Sequence, residues 1–211
     1  MTVPQAVLGF AVVAGLLTII PGIDTALVLR SAISRGRGYA FAAAAGINAG
    51  CFVWGIAAAV GASALLAASE VAYRILTLAG AAYMVWLGIH LFRASLRPRE
   101  AAPSGAVDAP RASIWHGFAT GLWTNLLNPK IGVFYLATIP QFVPADTSPL
   151  LMGVLLAAVH NVLGMAWFTV IILATGFAAR WHARDSVAKV TDRVTGTVLV
   201  AFGARLALDS R

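Results

Sequence analysis

The chain has 211 residues, 60% of them hydrophobic and 11% charged, with a mean hydropathy of +0.84. Soluble domains carry roughly a quarter charged residues, so this composition excludes a soluble globular protein and leaves room, at ~20 residues per span, for a bundle of membrane helices joined by short loops. The net charge of +7 is held in loops rather than along a basic stripe, which excludes a nucleic-acid surface, and the single Cys51 excludes an internal disulfide and offers no thiolate metal site.

In chain order, hydropathy predicts spans at residues 6–29, 40–62, 72–92, 114–141, 149–176 and 188–208. Met1-Thr2-Val3-Pro4-Gln5 lacks the basic region of a cleavable signal peptide, so the first apolar run is expected to remain as a span. That run holds Ile19-Ile20-Pro21-Gly22-Ile23-Asp24, where a proline, a glycine and a carboxylate fall inside hydrophobic sequence. A membrane helix interrupted this way frees backbone groups that only protein or a water-filled cavity can satisfy, so the stretch is expected to face inward. Arg30, Arg35 and Arg37 follow as a first basic cluster. The second span contains Gly46-Ile47-Asn48-Ala49-Gly50, a small-residue stripe that permits close helix contact and carries one polar side chain, Asn48.

After the third span comes Arg97-Pro98-Arg99-Glu100-Ala101-Ala102-Pro103-Ser104-Gly105, which reads as a flexible linker and forms a second basic cluster with Arg93 and Arg111. The fourth span is interrupted like the first, at Asn125-Leu126-Leu127-Asn128-Pro129-Lys130. The fifth places His160, Gly164 and Trp167 on one helical face with Asn161 beside them. A third basic cluster, Arg180, Arg184, Lys189 and Arg193, leads into a sixth span whose apolar centre is short.

Basic loops stay in the cytoplasm, so every second connection is placed inside and both termini outside. The linker 94–113 divides a first repeat, 1–93, from a second, 114–211, and three spans in each make the second cross in the opposite sense. Gly9-Phe10-Ala11 is echoed by Gly117-Phe118-Ala119, and Asn48 followed by Trp54 by Asn161 followed by Trp167. The predicted fold is therefore all-α: one polytopic membrane domain of six transmembrane helices arranged as two inverted three-helix repeats, with helices 1 and 4 broken. Matching breaks in two halves mark the binding site of a transporter.

Asp24 and Lys130 are the charges deepest in apolar sequence. Each costs ~2.5–3.5 kcal/mol at a bilayer centre, so both are expected to face the interior. The bland alternatives are snorkelling for the long lysine, simple kinks at Pro21 and Pro129, close packing for the glycines and a hydrogen-bonded packing role for His160. Gly22 additionally lets a ligand or neighbouring backbone approach closely. The chain has no HExxH, Walker A or GxSxG pattern, and no enzyme activity, metal or cofactor is expected.

These residues also resemble the LysE/RhtB family of small bacterial amino-acid exporters over essentially the full length. The resemblance rests on Pro21-Gly22-Ile23-Asp24, the Gly46-to-Gly50 stripe with Asn48, Tyr83 through Gly88, Asn128-Pro129-Lys130 and Pro140-Gln141-Phe142. Ile23 stands where the family usually has a second proline, while Asp24 keeps the acidic or amide position. The resemblance implies six membrane helices and efflux of amino acids or their derivatives driven by the proton gradient, with relatives that export basic, neutral and hydroxylated amino acids alike.

The combined expectation is a secondary transporter of the cell inner (plasma) membrane, with its site between the halves. Lys130 and the half-helix amides near Pro129 are expected to hold a substrate carboxylate, and Asp24 to take the ammonium or the coupling proton. Asn48, Asn128 and Asn161 are expected to supply neutral hydrogen bonds, and His160 a proton relay or substrate contact. The rival readings are an exporter of an inorganic cation or other small solute, and an intramembrane enzyme. Expected partners are a small-molecule amino acid, protons and the lipid bilayer, with no nucleic acid; self-association into a homo-oligomer is left open.

Overall fold

The computed structural model describes residues 1–20, 22–96 and 113–175 and, further on, helical positions between 189 and 208. Pro21, the linker residues 97–112, and Arg180 and Arg184 lie outside the described residues. Among the described residues the regular structure is entirely helical: α1 (Val3–Ile19), α2 (Ile23–Ser34), α3 (Arg37–Ala68), α4 (Glu70–Ala94), α5 (Ile114–Leu126), α6 (Pro129–Thr138), a 3-10 turn (Ile139–Phe142) and α7 (Pro149–Leu173).

Local sequence sets where these helices begin. Ser113 Oγ accepts from Trp115 N at the start of α5, Asn128 Oδ1 from Lys130 N at the start of α6 and Ser148 Oγ from Leu151 N at the start of α7. Pro129 and Pro149 follow their caps directly, at a first-turn position whose N–H has no helical partner in any case. Gly36, between α2 and α3, has φ +87°, a left-handed conformation that favours glycine, and it lets the chain reverse there.

Among the described residues two helices, α3 over Arg37–Gly61 and α7, are long and apolar enough to cross a membrane. α1 and α2 meet at 53° across their break and make a third such span if the pair is counted as one. Of the remaining predicted spans, 72–92 is helical throughout and 114–141 is helical apart from its break, but both stand out less by length and composition, and much of 188–208 lies outside the described residues. The break leaves α5 and α6 with 13 and 10 residues, each short of the ~20 a span needs, and the apolar stretch of α4 is confined to Ala81–His90.

The packing pivots on α3, which lies chiefly against α5 and then against α7. Backbone contact is close: a Cβ at Gly46 would fall onto the carbonyl of Phe118, and one at Gly121 onto that of Ala43. Gly55 and Gly153 do the same for α3 and α7, and Gly88 and Gly196 for α4 and the C-terminal helical segment. This is the geometry expected of small residues in a membrane interior, where helices associate by van der Waals fit.

The buried side chains form two clusters. One gathers Phe10 and Leu17 of α1 with Phe134 and Tyr135 of α6 and Leu156 of α7. The other joins Val28 of α2 and Ile47 of α3 to Phe168 and Ile172 of α7. A cavity with a mostly apolar lining and two charged side chains opens between them, and both helix breaks contribute to it.

Candidate functional site

The cavity takes Leu17 and Thr18 from the end of α1, Gly22, Asp24 and Thr25 from the start of α2, and Asn48 and Cys51 from α3. Lys130 enters from the first turn of α6, and His160 and Gly164 from α7. The space open to the centres of water-sized molecules is about 40 Å³, room for about three waters at ~10–15 Å³ each. The five heavy atoms of an amino acid's main-chain group already exceed that, so this conformation is contracted around its charges.

Asp24 is buried at the second position of α2, where a carboxylate is favoured by the positive end of the helix dipole. Its Oδ2 accepts a 2.9 Å hydrogen bond from Asn125 Nδ2, while Oδ1 has no hydrogen-bond partner among the described residues. Gly22, the N-cap of α2, has no side chain with which to cap the helix. Instead Lys130 lies over it: a Cβ at position 22 would be 2.7 Å from Lys130 Nζ. The two deep charges, far apart in sequence, thus share one cavity at the start of α2.

Asn125 was not singled out among the site residues, although its signal was present: a polar side chain four residues before Pro129 in an apolar run. It is fully buried. Its amide nitrogen donates to Asp24 and lies 3.6 Å from Cys51 Sγ. Gly50 makes this approach feasible, because a Cβ there would meet Asn125 Oδ1 at 2.5 Å. Beyond Cys51 the Tyr135 hydroxyl lies beside the thiol and makes a 2.8 Å hydrogen bond with His160 Nδ1. A chain of polar side chains therefore runs from Asp24 through Asn125, Cys51 and Tyr135 to His160. The imidazole is stacked on Tyr135 and edged by Phe10 and Phe134, which fixes its plane.

The three asparagines of the sequence reading divide. Asn48 lines the cavity. Asn128 is buried; its Oδ1 accepts from the amide of Lys130, which holds the first turn of α6 in place, and its side chain also lies beside the Asp24 carboxyl. Asn161 donates from Nδ2 to the backbone oxygen of Asn48 at 2.9 Å and ties α7 to α3. The amides of Ile131 and Gly132 both donate to Asn128 O. With Lys130 N on the Asn128 side chain, the amides that follow Pro129 already have acceptors, which differs from the expectation that they stand open to a substrate. The uncapped helix start in the cavity belongs to α2.

Comparison with known proteins places this geometry in context. Residues 6–210 match the family described as LysE type translocator. A leucine efflux protein of Klebsiella pneumoniae is 30% identical over 95% of this chain and 93% of its own length. A homoserine/homoserine lactone efflux protein of Salmonella typhi is 31% identical over 91% of each. An uncharacterized membrane protein of Bacillus subtilis, YrhP, is 28% identical over 97% of this chain and 99% of its own. No solved structure matches the chain.

Proposed function

The chain belongs to the LysE type translocator family, a multi-pass membrane protein that transports rather than catalyses, and on that basis we propose that it exports amino acids or their derivatives from the cytoplasm in exchange for protons. The observation that carries the proposal is the convergence of Asp24 and Lys130 on one cavity, each from the start of a half-helix that follows a break. An amino acid is a zwitterion, and the cavity presents one group of each sign. Lys130 Nζ and the uncapped start of α2 would hold the carboxylate, and the Asp24 carboxylate, whose Oδ1 is buried and lacks a hydrogen bond among the described residues, would take the ammonium once the cavity widens. Asn48 adds a neutral hydrogen bond, Asn128 and Asn161 hold α6 and α3 in register, and His160 closes the cavity on the side of α7.

Asp24 also serves as the exchange group. When the ammonium leaves, a proton replaces it, because a bare carboxylate in a contracted apolar site is costly. Substrate and proton then occupy the same group in alternation, and net transport follows the gradient.

Movement comes from the two halves as units, six spans in two inverted repeats of the inner membrane with both termini outside. The packing fits the repeat, though not by itself the movement: α1 lies on α7 and α5 on α3, so the first helix of each half rests on the second of the other. Because the cavity holds only about three waters as described, substrate entry requires the broken helices to separate.

The test is efflux from cells loaded with each amino acid in turn, with the proton gradient intact or collapsed by an uncoupler. The proposal expects a subset of amino acids to leave faster than from cells without the protein, and the excess to vanish with the gradient. Excess efflux that survives collapse overturns proton coupling. The absence of excess efflux for every amino acid, with an inorganic cation leaving instead, overturns the substrate class.

A further inference from the structure

We propose that the end of the bundle where α2 turns into α3 binds anionic phospholipid, with Arg35 and Arg37 holding the phosphate of the headgroup. Four helix ends meet there. Arg37 donates from Nη2 to Leu173 O at 3.4 Å, which joins the end of α7 to the start of α3. A Cβ at Gly117 would stand 3.0 Å from Tyr39 O, so the start of α5 lies against the same turn. Arg30, Arg35, Arg37 and His116 are all exposed at this end.

No carboxylate among the described residues balances that charge. Their acidic side chains are Asp24, Glu70 and Asp146. Glu70 follows the far end of α3, about 48 Å away at 1.5 Å per residue. Asp146 precedes the start of α7, whose other end is the one at Arg37, and Asp24 is buried at the opposite end of α2. The stretches that continue the chain from here, 97–112 and 176–188, hold five arginines against Glu100, Asp108 and Asp185, so the sequence adds no net negative charge. Gly36 gives α3 no side-chain cap, and the positive end of this 32-residue helix adds to that of the guanidinium groups.

The arginines are also held in place. The Arg35 guanidinium lies over the Tyr39 ring, 4.8 Å from its centroid, and the His116 ring is 6.4 Å from the same centroid. Tyr39 is buried, with its hydroxyl 3.4 Å from Thr120 Oγ1, so it forms a fixed platform. A guanidinium has five N–H donors in a planar fork that matches phosphate oxygens, and stacking on a ring or one bond to a carbonyl leaves most of them for a ligand. The surroundings favour a lipid over free phosphate. Ile33, Ile114 and Trp115 are exposed beside the charge, Trp115 at 79%, and such an apolar and aromatic rim suits the glycerol and acyl chains at a bilayer boundary.

The proposal needs only that the chain resides in a bilayer, and is independent of what it exports. The experiment follows thermal unfolding of the purified full chain in detergent during titration with dioctanoyl phosphatidylglycerol, dioctanoyl phosphatidylcholine or inorganic phosphate. Phosphatidylglycerol is expected to raise the melting temperature by about 5 °C at saturation, with half the shift at about 100-fold lower concentration than phosphatidylcholine requires. Inorganic phosphate is expected to give no shift. Arg35→Gln is expected to raise the half-shift concentration of phosphatidylglycerol about fivefold, and its combination with Arg37→Gln about 25-fold. Arg74→Gln, at the Glu70 end of α4, should leave it unchanged. Arg35 carries the test if loss of the bond to Leu173 prevents the combined variant from folding. Equal potency of the two lipids, or no shift with either, overturns the proposal. A full shift with inorganic phosphate overturns the lipid as the ligand. A wild-type titration in Arg35→Gln, or one weakened as much by Arg74→Gln, places the headgroup elsewhere and overturns the site.

Discussion

Gly22 is a glycine because of what lies above it. Its φ of −148° is extended backbone open to any residue, so torsion does not select it; the position of Lys130 Nζ does, 2.7 Å from where a Cβ would stand. Gly22→Ala therefore displaces the flexible tip of the lysine while sparing the backbone. The expected result is normal membrane abundance with efflux lowered about ten- to a hundredfold, since small misplacements of a binding group cost that much. Unchanged efflux at matched abundance would show that Lys130 does not work from above Gly22. Asn125 acts on the other charge. Asn125→Leu removes the donor to Asp24 Oδ2 and the contact with Cys51, and is expected to cost ~1–2 kcal/mol in stability. Efflux should fall further than that loss explains, measured at matched abundance beside thermal stability in detergent.

At the scale of the element, the break between α5 and α6 decides where Lys130 points. Asn125 O already accepts from Asn128 N at 3.0 Å and from Trp54 Nε1 at 3.4 Å, and Pro129 has no N–H to join them. Pro129→Ala supplies that N–H and lets α5 run on into α6, turning Lys130 away from α2. The variant is expected to melt at the same or a higher temperature and yet to transport poorly; normal transport would make the break a mere kink. The position of this break was legible in the sequence from Asn128-Pro129-Lys130, because a cap followed by proline is a local signal. Which amides it leaves open was not, since the Asn128 side chain and backbone oxygen take them back. The span predicted at 40–62 corresponds to the apolar part of α3, Arg37–Gly61, while the helix itself runs on to Ala68, and α2 continues to Ser34 past the predicted end at 29. Hydropathy reports burial in lipid, whereas backbone hydrogen bonding carries a helix on past the apolar window.

Across the whole molecule, composition carried the membrane assignment and the all-helical class, because both follow from average burial. What could not be read was the meeting of Asp24 with Asn125, or of Gly22 with Lys130, since such pairs depend on how two halves pack and no local pattern encodes that. The account stands or falls on whether Asp24 and Lys130 are two working groups or a neutralising pair. The direct measurement is efflux and membrane abundance for Asp24→Asn, Lys130→Met and the two combined, each singly changed protein leaving one charge in the cavity without its opposite. The account predicts that all three variants reach the membrane and that the combined one remains as inactive as the singles; recovery of efflux in the combined variant would contradict it.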